Sequence, residues 1–483
     1  MSCTVVIKDK NLKPENIKMG ITILKVTGTY ESAPTQPNLQ DVSVTYVSNG
    51  NYTLSASDGY DGLGTVDVSV NIDGTKNWII EARAGRLSDV SGYSIAELAK
   101  RNNGASGLFM NSDITTLPRI QDSVDNPNSD VGASSLKQTF SGCGSLQSVD
   151  ISVGSIGGEG MKECFANSGV SDVSIYVGAL DNGASSIFSN CFNNCAHLHS
   201  LYIHLGPDAS IVSKNTFNRL CYKGSFGKDK IFTIEGLREV GDYALQEAFA
   251  QMSSGTITVN LPDGLSTVRG KETRQAFQSM YQYSYLAGKT TPSFLGKLDY
   301  INGQYNFDAA FQSSDVETAT LGFNTCIGSI NFNQMFYFCP NLREVTFDGS
   351  FNVSGSSNFS STFGYSNNLT SMICTSTAGT KPFRYNNTNN VANTATKITD
   401  VTIDNVNSDV YLLWNPSVNA ASVYGILSKA VGATVQEGDA RKIEFYSKGL
   451  TVTDYEDGRI QTAYNAAVAD GWTINNLTIT PFS

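Results

Sequence analysis

One phrase recurs along this chain and fixes what it can fold into. Phe140-Ser-Gly-Cys143-Gly-Ser-Leu146-Gln-Ser-Val149-Asp-Ile151 returns as Phe192-Asn-Asn-Cys195-Ala-His-Leu198-His-Ser-Leu201-Tyr-Ile203. It returns again as Phe336-Tyr-Phe-Cys339-Pro-Asn-Leu342-Arg-Glu-Val345-Thr-Phe347 and Phe363-Gly-Tyr-Ser366-Asn-Asn-Leu369-Thr-Ser-Met372-Ile-Cys374. Apolar residues keep their offsets after each phenylalanine, and the closing apolar–polar alternation is a strand signal. Shorter copies start at Phe109, Phe165 and Phe311, and looser ones at Phe217, Phe249 and Phe277. The ten phenylalanines are spaced by 31, 25, 27, 25, 32, 28, 34, 25 and 27 residues. A repeat of that length cannot bury its apolar side alone. It folds by stacking on its neighbours, as solenoids do.

Four residues before most of the phenylalanines stands a second apolar side chain: Leu136, Met161, Phe188, Leu245, Phe307, Phe332 or Phe359. Spacing i, i+4 places both on one face of a helix. Each unit therefore predicts a turn, one or two helical turns ending near the phenylalanine, a loop, and a strand of three to five residues. The fold class expected is an α/β solenoid with small all-β modules before it and an αβ cap after it.

The motif Phe-x-x-Cys-x-x-Leu-x-x-Val-x-Ile resembles the BspA-type leucine-rich repeat, which occurs in bacterial surface proteins and in bacteriophage tail proteins. The resemblance covers residues 105–405. It is specific for a fold and weak for a function.

Before the repeats, residues 1–34 read as a β module: a strand Thr4 to Ile7, a turn or short helix Pro14 to Lys18, and a strand Ile21 to Thr29. The stretch Asn11 to Tyr30 resembles a module of phage structural proteins, where it implies docking on the particle. Pro34 and Pro37 mark a linker. Residues 39–73 form a second β unit, with Asp41 to Tyr46, a turn at Asn49-Gly50, Tyr52 to Ser55, and Thr65 to Ile72. Gly59-Tyr-Asp61-Gly-Leu-x-x-Val66-x-Val68 likewise resembles a phage-tail β module. Two carboxylates in one turn suggest calcium, but Asp58 and Asp61 are read as turn formers. Residues 77–104 connect to the solenoid and carry a helix from Ser94 to Arg101 that caps the first repeat. Residues 406–483 read as an αβαβ cap. Its helices are Ser417 to Val431, with Ser417 as N-cap, and Asp457 to Asp470; its strands are Lys442 to Tyr446 and Trp472 to Ile479. This end, too, resembles the closing unit of phage proteins with such repeats.

Charge narrows the partners. The net charge of −11 and the short, interrupted basic stretches, such as Lys223 to Lys230, disfavour a nucleic-acid partner. No run of about 18 apolar residues predicts a membrane span, and the start at Met1 shows no signal-peptide pattern. Most of the nine cysteines fall at repeat positions that other copies fill with Ser, Thr or Ala, which reads as buried thiols rather than ligands.

Chemistry has few candidates. His197 and His199 flank Leu198 at a spacing that can hold a metal, yet the preceding long copy puts Ser145 and Gln147 there, so they read as surface histidines. Carboxylates are many but no motif singles out a catalytic pair, and no nucleophile elbow, phosphate loop or His-Glu-x-x-His appears. No cofactor and no catalytic residue are assigned. Tyr281, Tyr283 and Tyr285 lie where the Phe277 copy is lengthened, and insertions in solenoids often form the binding face. They are the candidate binding surface.

The resemblances imply a non-enzymatic virion structural protein of tail, baseplate or fibre. It would dock through its N-terminal modules, contact other virion proteins as a homo-oligomer, and present the solenoid to a host glycan or protein. A head fibre or decoration protein, or a bacterial surface adhesin, fits the same repeats.

Overall fold

The structure is a computed structural model. It describes the strands at 22–23, 26–27, 42–48, 51–56, 66–69 and 80–82, and residues 95–483 except 121–128, 225–228, 253–254, 263–264, 269–275, 303–305, 328–329, 349–360, 376–396, 413–415 and 436–439. The chain forms two compact units, residues 1–198 and 199–483.

In the first unit, Thr22–Ile23 and Val26–Thr27 pair antiparallel, so the stretch expected as a single strand from Ile21 to Thr29 holds two strands. Val42–Ser48, Asn51–Ala56, Val66–Ser69 and Ile80–Ala82 make a four-stranded antiparallel meander. Its last strand comes from the stretch read as a connector. Of the helix expected from Ser94 to Arg101, Ala96–Ala99 is helical, and Ser94 lies outside the described residues. The expected elements at Thr4 to Ile7 and Pro14 to Lys18, the Asn49-Gly50 turn, Asp58 and Asp61 lie outside them too.

The repeats then begin. Ser129–Val131, Ser148–Ile156 and Asp172–Leu180 form a parallel sheet, in register from Val149↔Val173 through Val153↔Val177. In Ser148–Ile156 the inward residues Val149, Ile151, Val153 and Ile156 are buried, with outward Ser and Asp between them. Strands of nine residues exceed the three to five expected, because alternation continues beyond the motif into the following glycine-rich stretch.

Among the described residues of these coils the segments between strands are not α-helical, which corrects the α/β expectation. Ser134, Gln138 and Gly142 have φ of 53°, 56° and 75°, a left-handed residue at every fourth position. The N–H groups of Ser134, Leu136, Gln138, Phe140 and Gly142 reach carbonyls of the next coil, at Gly158, Gly160, Lys162, Cys164 and Ala166, over 2.8–3.0 Å. The alternate residues Lys137, Thr139 and Ser141 close turns onto carbonyls three residues back. An α-helix would spend every interior N–H within itself. Here half the donors lock one coil to the next. The conformation repeats every four residues, so Leu136 and Phe140 face the core without any helix, and the i, i+4 spacing is explained by turns.

A left-handed residue with a Cβ costs about 1–2 kcal/mol, least for Asn and nothing comparable for Gly. The position two after the phenylalanine holds Asn111, Gly142, Asn167 and Asn194 in this unit. No β-branched residue occupies a left-handed position among the described residues. Inside, the rings of Phe109, Phe140, Phe165 and Phe192 stack in file at centroid distances of 5.3–5.7 Å. Phe109 is half-buried at the head of the file, and the other three are fully buried.

The second unit repeats this architecture. Ser200–Asp208, Lys230–Glu235 and Ile257–Asn260 form one parallel ladder. An eight-stranded sheet runs from Ile211–Val212 through Glu239–Val240, Thr267–Val268, Leu298–Asn302, Thr318–Ile327, Glu344–Asp348 and Ser371–Cys374 to Asp400–Ile403. Its last members stay in register: Val345↔Met372↔Val401 and Phe347↔Cys374↔Ile403. Phe217, Phe249, Phe311, Phe336 and Phe363 are buried.

One register assignment is corrected here. The ring that stacks between Phe249 and Phe311 is Tyr281, at 5.6 and 5.2 Å, not Phe277. The backbone agrees: Phe249 N–H donates to Met280 and Tyr281 N–H to Ala310, each one residue before the next ring of the file. Phe277 instead joins a parallel file with Phe307 and Phe332, at 5.2 and 5.3 Å. The intervals around it become 32 and 30 rather than 28 and 34. The tyrosine hid the register, because only phenylalanine was counted.

The C-terminal coils use true helices. Ala420–Ala430 lies between Val410–Tyr411 and Lys442–Glu444, and Arg459–Ala469 between Leu450–Thr453 and Thr473–Asn475. The strands pair in parallel, Val410–Tyr411 with Lys442–Glu444 with Thr473–Asn475, and Leu450–Thr453 with Leu477–Thr480. Asn419, not Ser417, is the N-cap of the first helix, accepting from Ser422 N–H at 2.8 Å. The strand expected to run unbroken to Ile479 is interrupted by Asn476, at φ 62°. Leu450–Thr453 escaped sequence reading because the strand is only four residues long. Trp472 is buried and its indole N–H donates to Ala430 O at 2.9 Å, closing the carbonyl end of the first helix.

Candidate interaction surfaces

Each coil offers two outward faces, the strands and the turns. On the strand face of the second unit, register places Tyr202 beside Thr233 and His204 beside Glu235. The Tyr202 hydroxyl donates to the Glu235 carboxylate, and His204 Nδ1 lies 3.6 Å from the same group. The Tyr202 and His204 rings meet edge to face at 6.3 Å. Ile231, in the neighbouring strand, is 55% exposed. An isoleucine and a tyrosine fixed on a rigid sheet and open to water form an apolar anchor with a carboxylate beside it.

The turn face is polar and laddered. In the first unit Glu159 receives Lys162 at 2.7 Å and Lys137 at 2.9 Å, and these two cations hold its carboxyl down to about 2. Gln138 donates to Glu163 at 2.7 Å. In the second unit Arg219 grips Glu247 through two bonds of 3.1 Å. Amides replace charges further on: Gln246 donates to Gln278, Gln278 to Asp308, and Asn333 to Asp308, at 2.6–3.2 Å. Gln282 donates to Gln312 at 2.6 Å.

The candidate tyrosines separate. Tyr281 is fully buried in the ring file and leaves the surface set. Tyr283 and Tyr285 are 48% and 44% exposed. Sequence reasoning passed over Phe338 and Tyr365, which are 56% and 43% exposed. They occupy the same left-handed position as Tyr283, two residues after the buried ring, at φ of 58°, 59° and 56°. Aligning each copy on its buried ring would have found them.

Among possible chemical groups, His197 is exposed and His199 half-buried. Among the described residues no group of three or more His, Cys, Asp or Glu is placed to hold a metal ion. Asp315 has a raised carboxyl, chiefly because burial disfavours its charge, and it accepts from Leu286 N–H at 2.7 Å. That bond fixes the turn of the neighbouring coil. Nearby Glu317 is held ionised by Lys289 at 2.6 Å. The pair reads as turn architecture rather than an acid–base couple.

Residues 134–248 match, in 6 copies, the family described as BspA type leucine rich repeat region. The chain carries a BspA-type leucine-rich repeat region. The match takes in the coils of Phe140, Phe165, Phe192 and Phe217 and reaches the turn that leads to Phe249. No curated protein and no solved structure matches the chain. Leucine-rich repeats are binding scaffolds that present side chains from a stack of coils to protein partners. In this region the outward groups of the strands are the residues between Val149, Ile151 and Val153 and their counterparts in later strands. Among the described residues no helix is long and apolar enough to cross a membrane.

Proposed function

We propose that this chain is a non-enzymatic scaffold whose strand face engages a protein partner, and that it serves as a structural protein of a phage particle. The observation that carries the scaffold reading is the uncovered apolar pair Tyr202 and Ile231 on a parallel sheet whose inward side is fully packed. A monomer gains nothing by exposing them, whereas a partner would desolvate both against a rigid frame. Glu235 between Tyr202 and His204 adds a polar rim.

The virion reading is supported by the resemblance of Asn11 to Tyr30, of Gly59 to Val68 and of the C-terminal unit to modules of phage structural proteins. The proposed position is tail, baseplate or fibre, with a head fibre or decoration protein as the alternative, residues 1–73 as the docking part and neighbouring virion proteins as partners.

The test is to purify particles from the producing strain and search them by mass spectrometry and immunogold labelling. The chain at stoichiometric abundance on particles supports the proposal. Its confinement to the bacterial surface, with none on particles, would instead assign it as an adhesin. Within particles, Ile231→Asp should abolish incorporation or host attachment while the isolated chain stays folded.

A further inference from the structure

The left-handed position two residues after each buried ring is occupied by Asn111, Gly142, Asn167 and Asn194 in the first unit, residues that suit the backbone. In the second unit the same position holds Arg219, Gln251 and Ser313 and, in three further coils, the aromatics Tyr283, Phe338 and Tyr365. Bulky aromatics are poor residues for this conformation, and here they bury little: about half of each is open to water. Neither backbone preference nor core packing accounts for them. Strain retained at an exposed position points outward, to something that binds there.

The rings are held in place. Tyr337 lies against the backbone of Gly364, where a Cβ would come within 2.8 Å of its ring. Its ring meets Tyr365 edge to face at 5.2 Å, and Phe338 lies 6.3 Å from Tyr365. Around them the turn positions are neutral: Ser279, Gln282, Ala309, Gln312, Ser313, Gln334 and Ser361. The equivalent positions of earlier coils hold Glu163, Arg219 and Glu247. Asp308 keeps a carboxylate in the ladder, bonded to Gln278 and Asn333, while the positions named beside the aromatics carry no charge.

We propose that Tyr283, Phe338 and Tyr365, with Tyr337 beside them, form a binding stripe for a neutral polysaccharide lying along the turns. An aromatic face accepts the C–H face of a hexose, and the Gln282–Gln312 amide ladder offers donors and acceptors to its hydroxyls. Coils repeat at a constant step, and so does a polymer of identical sugars. A polyanion would find no cation in these positions. The inference concerns the turn face and stands apart from the protein-binding role given to the strand face.

The test uses the full chain and the double variant Phe338→Asn, Tyr365→Asn. Asparagine is what other coils place in this position, so the variant should fold and melt at or above the parent midpoint. Both proteins are run on native gels containing dextran, β-1,3-glucan, mannan or hydroxyethylcellulose, with alginate as the anionic control. The expected result is retardation of the parent in at least one neutral gel, weakened about tenfold in the variant, as for loss of an aromatic contact pair. Retardation in none of the neutral gels, retardation only in alginate, or equal retardation of the two proteins overturns the proposal. So would a variant that differs only in self-association, which would make the stripe a protein contact.

Discussion

Cys195 donates its thiol hydrogen to the main-chain carbonyl of Phe165, one coil earlier, across 2.9 Å. Cys143 does the same to Phe109 at 3.0 Å and Cys339 to Phe311 at 3.0 Å. In other coils a hydroxyl takes the position: Ser284 donates to Phe249 at 2.7 Å and Ser366 to Phe336 at 2.5 Å. The cysteine of the motif is therefore a buried donor that ties coils together, and serine is its natural substitute.

Substitution should separate donor from volume. Cys195→Ser keeps the bond and should leave stability almost unchanged, whereas Cys195→Val leaves the Phe165 carbonyl with only the Ser168 N–H at 3.1 Å and should cost about 0.5–1.5 kcal/mol for the lost bond. Chemical denaturation of the two variants checks this. Equal losses would mean the thiol only fills space.

The same burial sets an alkaline limit. Desolvation raises Cys195 from 9.0 to about 11 and Cys339 to about 12. A raised folded value means the folded state holds the proton more tightly, so this contribution is complete below pH 9 and fades as pH climbs towards 11–12. Stability measured against pH should fall over that window, and less so in Cys195→Ser with Cys339→Ser. On the acid side, Glu159 is held at about 2, so its contribution is present above 4.5 and fades as pH drops towards 2. Its carboxylate is 34% exposed and its ion pairs are screened, so Glu159→Gln should flatten the acid limb only slightly.

Tyr281 carries a hydroxyl that is buried and finds no hydrogen-bond partner among the described residues. Tyr281→Phe restores the residue of every other coil in that file and should stabilise the chain by about 1–2 kcal/mol. Tyr281→Ala should destabilise it by about 3–5 kcal/mol, like other large core truncations. A calorimetric scan of both variants decides. A lower melting temperature for Tyr281→Phe would show that the hydroxyl is satisfied and the register argument incomplete.

Coil spacing can be probed at Gly169. A Cβ there would stand 2.0 Å from the Gly144 carbonyl oxygen, a backbone atom of the preceding coil that cannot swing away. Gly169→Ala should cost about 3 kcal/mol or more through overpacking. Gly144→Ala, whose Cβ would meet nothing within 4 Å, is the control and should be near neutral. Similar losses from both would mean that the coils are further apart than described.

The repeat was legible in the sequence because its core is aromatic and periodic: Phe140, Phe165 and Phe192 are both motif and ring file. The helix expected between strands was not, because spacing i, i+4 at Leu136 and Phe140 is shared by helices and by turns that repeat every four residues. Composition held the distinguishing signal. Asn111, Asn167, Asn194 and Gly142 at one offset are residues that tolerate a left-handed backbone. Tyr281 was misplaced on the surface because the copy was aligned on Phe277, which put the tyrosine in an apparent insertion. Phe338 was missed because an apolar ring beside Phe336 looked like core. The strand-face pair Tyr202 and Ile231 needed the register between strands, which the sequence of one coil does not contain.

Far-UV circular dichroism tests the central claim, a parallel β-solenoid built on left-handed turns rather than on one helix per coil. The three described helices hold 4, 11 and 11 residues. A β-type spectrum with little helix is therefore expected, well below the one-third of an average globular protein. A two-turn helix in each coil would raise the fraction to roughly a fifth of the chain, and a spectrum showing that much helix would contradict it.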